Sequence, residues 1–123
     1  MIIKIIYIAI GGSLGSILRF LISHFCKLYI PFFPIGTLIV NILGSFFIGL
    51  LVSYLNNKET SEIIVRYFLI VGILGSFTTF SAFSIDTLEL FRQNEISLSV
   101  LYIMLSIILS IFAAYVGFIL MNI

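Results

Sequence analysis

The chain has 123 residues, 62% of them hydrophobic and only 9% charged, with a formal net charge of +1. A soluble domain carries about 25% charged residues, so a surface facing water on every side is excluded and lipid must be part of the surroundings. The small net charge and the lack of a basic patch leave nucleic-acid binding without an electrostatic basis.

Crossing the hydrocarbon takes roughly 20 apolar residues per helix. Four such helices with short links account for nearly the whole chain, so residues 1–123 are read as a single four-helix transmembrane domain. The first apolar stretch runs from about Ile2 to Phe25 and carries Gly11, Gly12, Gly15, Ser16 and Arg19. It lacks a small-x-small cleavage site after its apolar core, so it is read as a retained helix. Gly11 with Gly15, and Gly12 with Ser16, form small-xxx-small pairs that let another helix approach closely. Arg19 lies well inside the stretch, where it either snorkels to the interface, pairs with a buried acceptor, or lends positive potential to an anion vestibule. Lys27 and the two prolines of Pro31-Phe32-Phe33-Pro34 end this helix.

The second stretch runs from about Ile35 to Leu55, with Thr37, Asn41 and Ser45 spaced by four on one face. Gly36, Gly44 and Gly49 add close-packing surface. An intramembrane asparagine is either interhelical glue or, through its two N–H donors, an anion contact. A polar turn at Asn56-Asn57-Lys58-Glu59-Thr60 follows.

The third stretch runs from about Ile63 to Phe91 and is interrupted in its middle by Gly72, Gly75, Ser76, Thr78, Thr79, Ser81 and Ser84. Glycine, threonine and serine weaken a helix. The segment is either kinked, with hydroxyls patching it, or unwound, with carbonyls free to coordinate a small cation. Phe80 and Phe83 flank it, three apart, and either pack against lipid and neighbours or present positive ring edges to an anion. After the polar turn Arg92-Gln93-Asn94-Glu95, the fourth stretch runs from about Leu98 to Met121. It carries Tyr102, Ser106 and Ser110, a hydroxyl ladder again spaced by four.

Four crossings put Lys4, Lys58 and Arg66 on one side and Arg19, Lys27 and Arg92 on the other. This even tally gives the positive-inside rule no orientation to choose. It reflects either a weak signal or dual topology, in which copies insert both ways. Two polar stripes rich in donors and ring edges, with no membrane-centred carboxylate, describe a path for a small anion held weakly at several sites. A proton-coupled exporter of cationic drugs would need an embedded carboxylate, and the first helix has none. A purely structural subunit would leave the hydroxyl ladder idle. An enzyme is disfavoured: the one histidine, His24, and the one cysteine, Cys26, sit near a helix end with no nucleophile–base pairing to read.

Three runs carry a resemblance that spans nearly the whole chain. Gly11-Gly12-Ser13-Leu14-Gly15-Ser16-Ile17-Leu18-Arg19, Gly36-Thr37-Leu38-Ile39-Val40-Asn41-Ile42-Leu43-Gly44 and Gly75-Ser76-Phe77-Thr78-Thr79-Phe80-Ser81-Ala82-Phe83-Ser84 resemble the signatures of the fluoride channels called Fluc or CrcB. The resemblance implies an all-α integral membrane protein with its third helix broken mid-membrane, assembled as an antiparallel, dual-topology homodimer. It further implies passive fluoride export across the cell membrane through two pores per dimer. Asn41 would contact fluoride, Phe80 and Phe83 would offer ring edges, and Thr37, Tyr102, Ser106 and Ser110 would line the track. Arg19 would sit at a vestibule, and the carbonyls of Gly75 and Thr78 would hold a structural Na⁺ shared between subunits. Asp86 stands where the family often has glutamate.

Overall fold

The computed structural model describes residues 1–58 and 62–122, and all its regular elements are helices. Helix α1 runs from Ile2 to Tyr29, a turn beyond the expected end. Lys27 falls in its last turn, where a cation suits the negative end of the helix dipole and does not terminate it. The stop comes at Ile30, whose φ of −132° and ψ of 75° reflect the steric demand of the proline that follows. Helix α2 spans Ile35–Asn56. The polar turn expected after it includes Glu59 and Thr60, which lie outside the described residues.

The third stretch begins as a π-helix over Ile64–Leu74, continues as a short helix α3 at Gly75–Phe77, and resumes as α4 at Phe80–Arg92. Between α3 and α4, Thr78 (φ −79°, ψ 153°) and Thr79 (φ −154°, ψ 121°) are extended. Helix α4 ends in a Schellman turn: Asn94 adopts a φ of 60°, Glu95 N–H donates to the Leu90 carbonyl at 3.0 Å, and Asn94 N–H donates to that of Phe91 at 3.1 Å. Helix α5 spans Ile96–Leu120. The four spans of 28, 22, 29 and 25 residues, the third counted across the extended pair, are each long and apolar enough to cross a bilayer.

Two pairings organise the bundle: α2 lies along α5, and α1 lies along the π-helix. Both depend on small residues that bring backbones together where lipid offers no hydrophobic drive. A Cβ on Gly49 would strike the Ala114 carbonyl, and one on Gly117 the Phe46 carbonyl. Likewise Gly11 and Gly15 abut the carbonyls of Phe68 and Ile73, so one of the two small-residue pairs is spent within the chain. Gly12, of the other pair, has open space around it. The buried apolar core is small, built on Leu38, Leu90 and Tyr102 with Phe33, Phe83 and Leu105 packed against it. Large apolar side chains such as Ile111 and Phe112 point outward, the inverse of a soluble bundle.

Candidate functional site

Because α2 packs along α5, their polar stripes meet. Asn41 and Ser45 of α2, Ser106 and Ser110 of α5, and Phe80 and Phe83 of α4 line one cavity of about 490 Å³ midway along the helices, with Gly75, Thr78 and Thr79 at its edge. Thr37 does not join them. It lines a second cavity of about 430 Å³ at one end of the bundle, with Arg19, Lys27, Phe33, Asp86 and Glu89. Residues four apart share a helix face, but they differ by about 6 Å in height, and that rise carries Thr37 out of the mid-helix cavity. Arg19, which the sequence reading places at a vestibule, lines the end cavity together with Lys27 and the acidic side chains of Asp86 and Glu89.

Tyr102 is fully buried and lines neither cavity; it stands between them. Its O–H donates to Oδ2 of Asp86 at 3.1 Å. Its ring centroid lies 5.4 Å from that of Phe83 and 5.6 Å from that of Phe33. Phe83 in turn lies 5.3 Å from Phe80. A chain of rings, Phe80–Phe83–Tyr102–Phe33, therefore runs from the mid-helix cavity to the end cavity.

Several hydroxyls of the third stretch are spent locally. Ser76 donates to the Gly72 carbonyl at 2.8 Å, Thr78 to that of Leu74 at 2.9 Å and Thr87 to that of Phe83 at 2.8 Å, the back-bonding common for Ser and Thr in membrane helices. Ser106 differs: its hydroxyl is buried and has no hydrogen-bond partner among the described residues. An unpaired buried hydroxyl costs about 1–3 kcal/mol, and Ser106 carries that cost beside the mid-helix cavity.

The extended pair Thr78–Thr79 is held from α2. Asn41 Nδ2 donates to the Thr79 carbonyl at 3.0 Å, and Asn41 Oδ1 accepts from Thr79 N–H at 2.8 Å. Thr79 also caps α4, its Oγ1 accepting from Ala82 N–H at 3.0 Å. Among the described residues, no hydrogen bond ends on the carbonyl oxygens of Gly75 or Thr78. Those two oxygens belong to a surface-exposed and a half-buried residue respectively.

The sequence places Thr79 in the interruption of the third stretch but assigns it no role at the site. Its signal was present, since a threonine just ahead of a helical run is a preferred N-cap. Phe33 carried no such signal, because it reaches the site only through the packing of its loop on Tyr102.

The model of the family described as "CrcB-like protein, Camphor Resistance (CrcB)" matches residues 6–118. The chain is 46% identical over 116 residues to a protein of Agrobacterium fabrum, covering 94% of this chain and 93% of that one. It is 41% identical over 116 residues to one of Flavobacterium psychrophilum, covering 94% of each. With a protein of Rhizobium etli it shares 40% identity over 121 residues, covering 98% of this chain and 97% of the relative. All three bear the name "Fluoride-specific ion channel FluC".

Proposed function

The chain belongs to the CrcB family, and from that premise we propose that it is a fluoride-selective channel that lets the ion leave the cell down its gradient. It is a multi-pass membrane protein of the cell membrane, and a transport protein rather than an enzyme. The observation that carries the reading is the Ser106 hydroxyl, buried without a partner on a cavity shared with Asn41, Phe80 and Phe83. Donors and positive ring edges attract a small anion without a full charge to trap it, as conduction requires.

In this reading fluoride enters the end cavity past Arg19 and meets Thr37. It then passes Tyr102 to Ser106 and Ser110, with the rings of Phe80 and Phe83 opposite. Asn41 commits its oxygen to Thr79 and one N–H to the same residue, which leaves its second N–H for the anion. Among the described residues, no carboxylate lines the mid-helix cavity to repel it.

The functional unit in this reading is an antiparallel homodimer of dual topology with two pores. The support is twofold: the even distribution of Lys and Arg, and Phe80, a pore residue left 79% exposed on the isolated chain. A second, inverted copy gives that ring a wall. The third helix is read as broken at mid-membrane, and the free carbonyls of Gly75 and Thr78 suit a structural Na⁺. One chain offers two such oxygens, and a partner related by a two-fold axis offers the same two again. A cation held there neutralises backbone dipoles left unpaired in a low-dielectric site.

Purified protein in liposomes loaded with fluoride and followed with a fluoride electrode tests the function. Efflux well above that of protein-free liposomes is expected. Equal efflux would sink the channel reading, and chloride leaving as fast as fluoride would remove the selectivity.

A further inference from the structure

We infer that Asn41 is a positioning residue: its side-chain amide takes the place of a neighbouring β-strand for Thr79, and this pairing sets the aim of Phe80 and Phe83 and frees the carbonyls beside it. The inference rests on the fluoride reading only for its consequence in conduction.

Inside a bilayer an extended residue has no neighbour to satisfy its backbone. Thr79 is such a residue, with φ −154° and ψ 121°. Both its backbone groups are met by one side chain 38 positions away, the carbonyl at 3.0 Å and the N–H at 2.8 Å. A side-chain amide has the donor–acceptor pattern of a peptide group, so Asn41 pairs with Thr79 as a facing strand residue would. Aspartate keeps only the acceptor, and an apolar side chain keeps neither.

The consequences are local. If Thr79 N–H were not taken by Asn41, it would be in sequence position to close an ordinary helical bond on the Gly75 carbonyl four residues back. Asn41 intercepts that donor, and the Gly75 oxygen stays free. Thr79 is also the N-cap of α4 through its Oγ1, so fixing its backbone fixes the start of the helix that carries Phe80 and Phe83. Asn41 itself is anchored because α2 is held by its neighbour Gly44 against Thr78 and Phe77. The pairing thus joins α2 to the extended residues from which both the ring pair and the free carbonyls follow.

The test is amide hydrogen exchange at Thr79, read by mass spectrometry with residue-level fragmentation, on full-length protein in lipid nanodiscs. Three forms are compared: unmodified, Asn41→Leu and Asn41→Asp. Loss of a hydrogen bond of ordinary strength predicts exchange about tenfold faster at Thr79 in Asn41→Leu. In Asn41→Asp, which retains the acceptor, Thr79 exchange stays near that of the unmodified protein. The ratio of fluoride to chloride efflux falls in Asn41→Leu, a change that general loss of fold does not produce. Unchanged Thr79 exchange in Asn41→Leu would overturn the inference. Where that variant fails to run as a single species, Asn41→Ala, which keeps neither bond, is read instead, with the same rise expected and the same null result fatal. Exchange does not depend on what the protein conducts. Efflux of the unmodified protein at the protein-free level would defeat the fluoride reading and leave the exchange result standing on its own.

Discussion

Tyr102 of α5 donates its phenolic O–H to Oδ2 of Asp86 of α4 at 3.1 Å, and this bond stands at the neck between the end cavity and the mid-helix cavity. It gives Asp86 a definite place: the carboxylate accepts from a buried ring that also touches Phe83 and Phe33. Glutamate would be one methylene longer, so the neck in this chain is set by the shorter reach of aspartate.

Tyr102→Phe keeps the ring and removes the bond. Stability is expected to fall by about 1 kcal/mol, with fluoride efflux reduced because a hydroxyl is lost from the track. Asp86→Asn keeps an acceptor and removes a negative charge from the path of an anion, so efflux in that variant is expected to hold or rise. Thermal unfolding in detergent and the liposome electrode assay read the two quantities, and a collapse of efflux in Asp86→Asn alone would contradict this account of the neck.

Phe80→Ile removes a ring edge from the mid-helix cavity while keeping an apolar side chain of similar bulk. Ring-edge interactions are worth about 0.5–1.5 kcal/mol, so efflux is expected to drop by up to about tenfold. Since Phe80 is largely exposed on the isolated chain, stability of the single chain should hardly change. Efflux equal to that of the unmodified protein would take Phe80 out of the pore.

The two orphan hydroxyls separate conduction from stability. Ser53 and Ser106 are both buried without a partner among the described residues, so replacing either with alanine removes an unpaired polar group and is expected to leave stability unchanged or raise it by about 1 kcal/mol. Only Ser106 lines a cavity of the proposed path. Ser106→Ala is therefore expected to slow fluoride efflux, and Ser53→Ala to leave it alone. Equal efflux in the two variants would deprive the reading of its main support.

Gly117→Leu tests the packing that brings the stripes together. A side chain there meets the Phe46 carbonyl and the Leu50 N–H across the α2–α5 contact, and forcing the helices apart costs about 1–3 kcal/mol or more. The variant is expected to unfold at lower temperature and to lose efflux together with stability. Gly12→Ala, with open space around it in the chain, should leave the unfolding temperature of the single chain untouched.

Much of this protein is determined by sequence alone, because membrane physics narrows the choices. Long apolar runs without charge can only be helices in lipid, so the four spans are legible, and the 3.6-residue period puts Asn41 with Ser45 and Ser106 with Ser110 on single faces. The glycines Gly11, Gly15 and Gly49 likewise mark places of close contact, since only a residue without Cβ lets backbones touch there. Tertiary structure decided the rest. The π-helical winding of Ile64–Leu74 has no local signature in a run that would equally well wind as an α-helix. The drop of Thr37 into the end cavity depends on the height of each residue along its axis. The pairing of Asn41 with Thr79 joins residues 38 apart, and it exists because α2 lies where the third stretch loses its helical bonds. Composition and period specify which side chains a helix offers; only the packing of one helix on another determines which unsatisfied backbone group each of them meets.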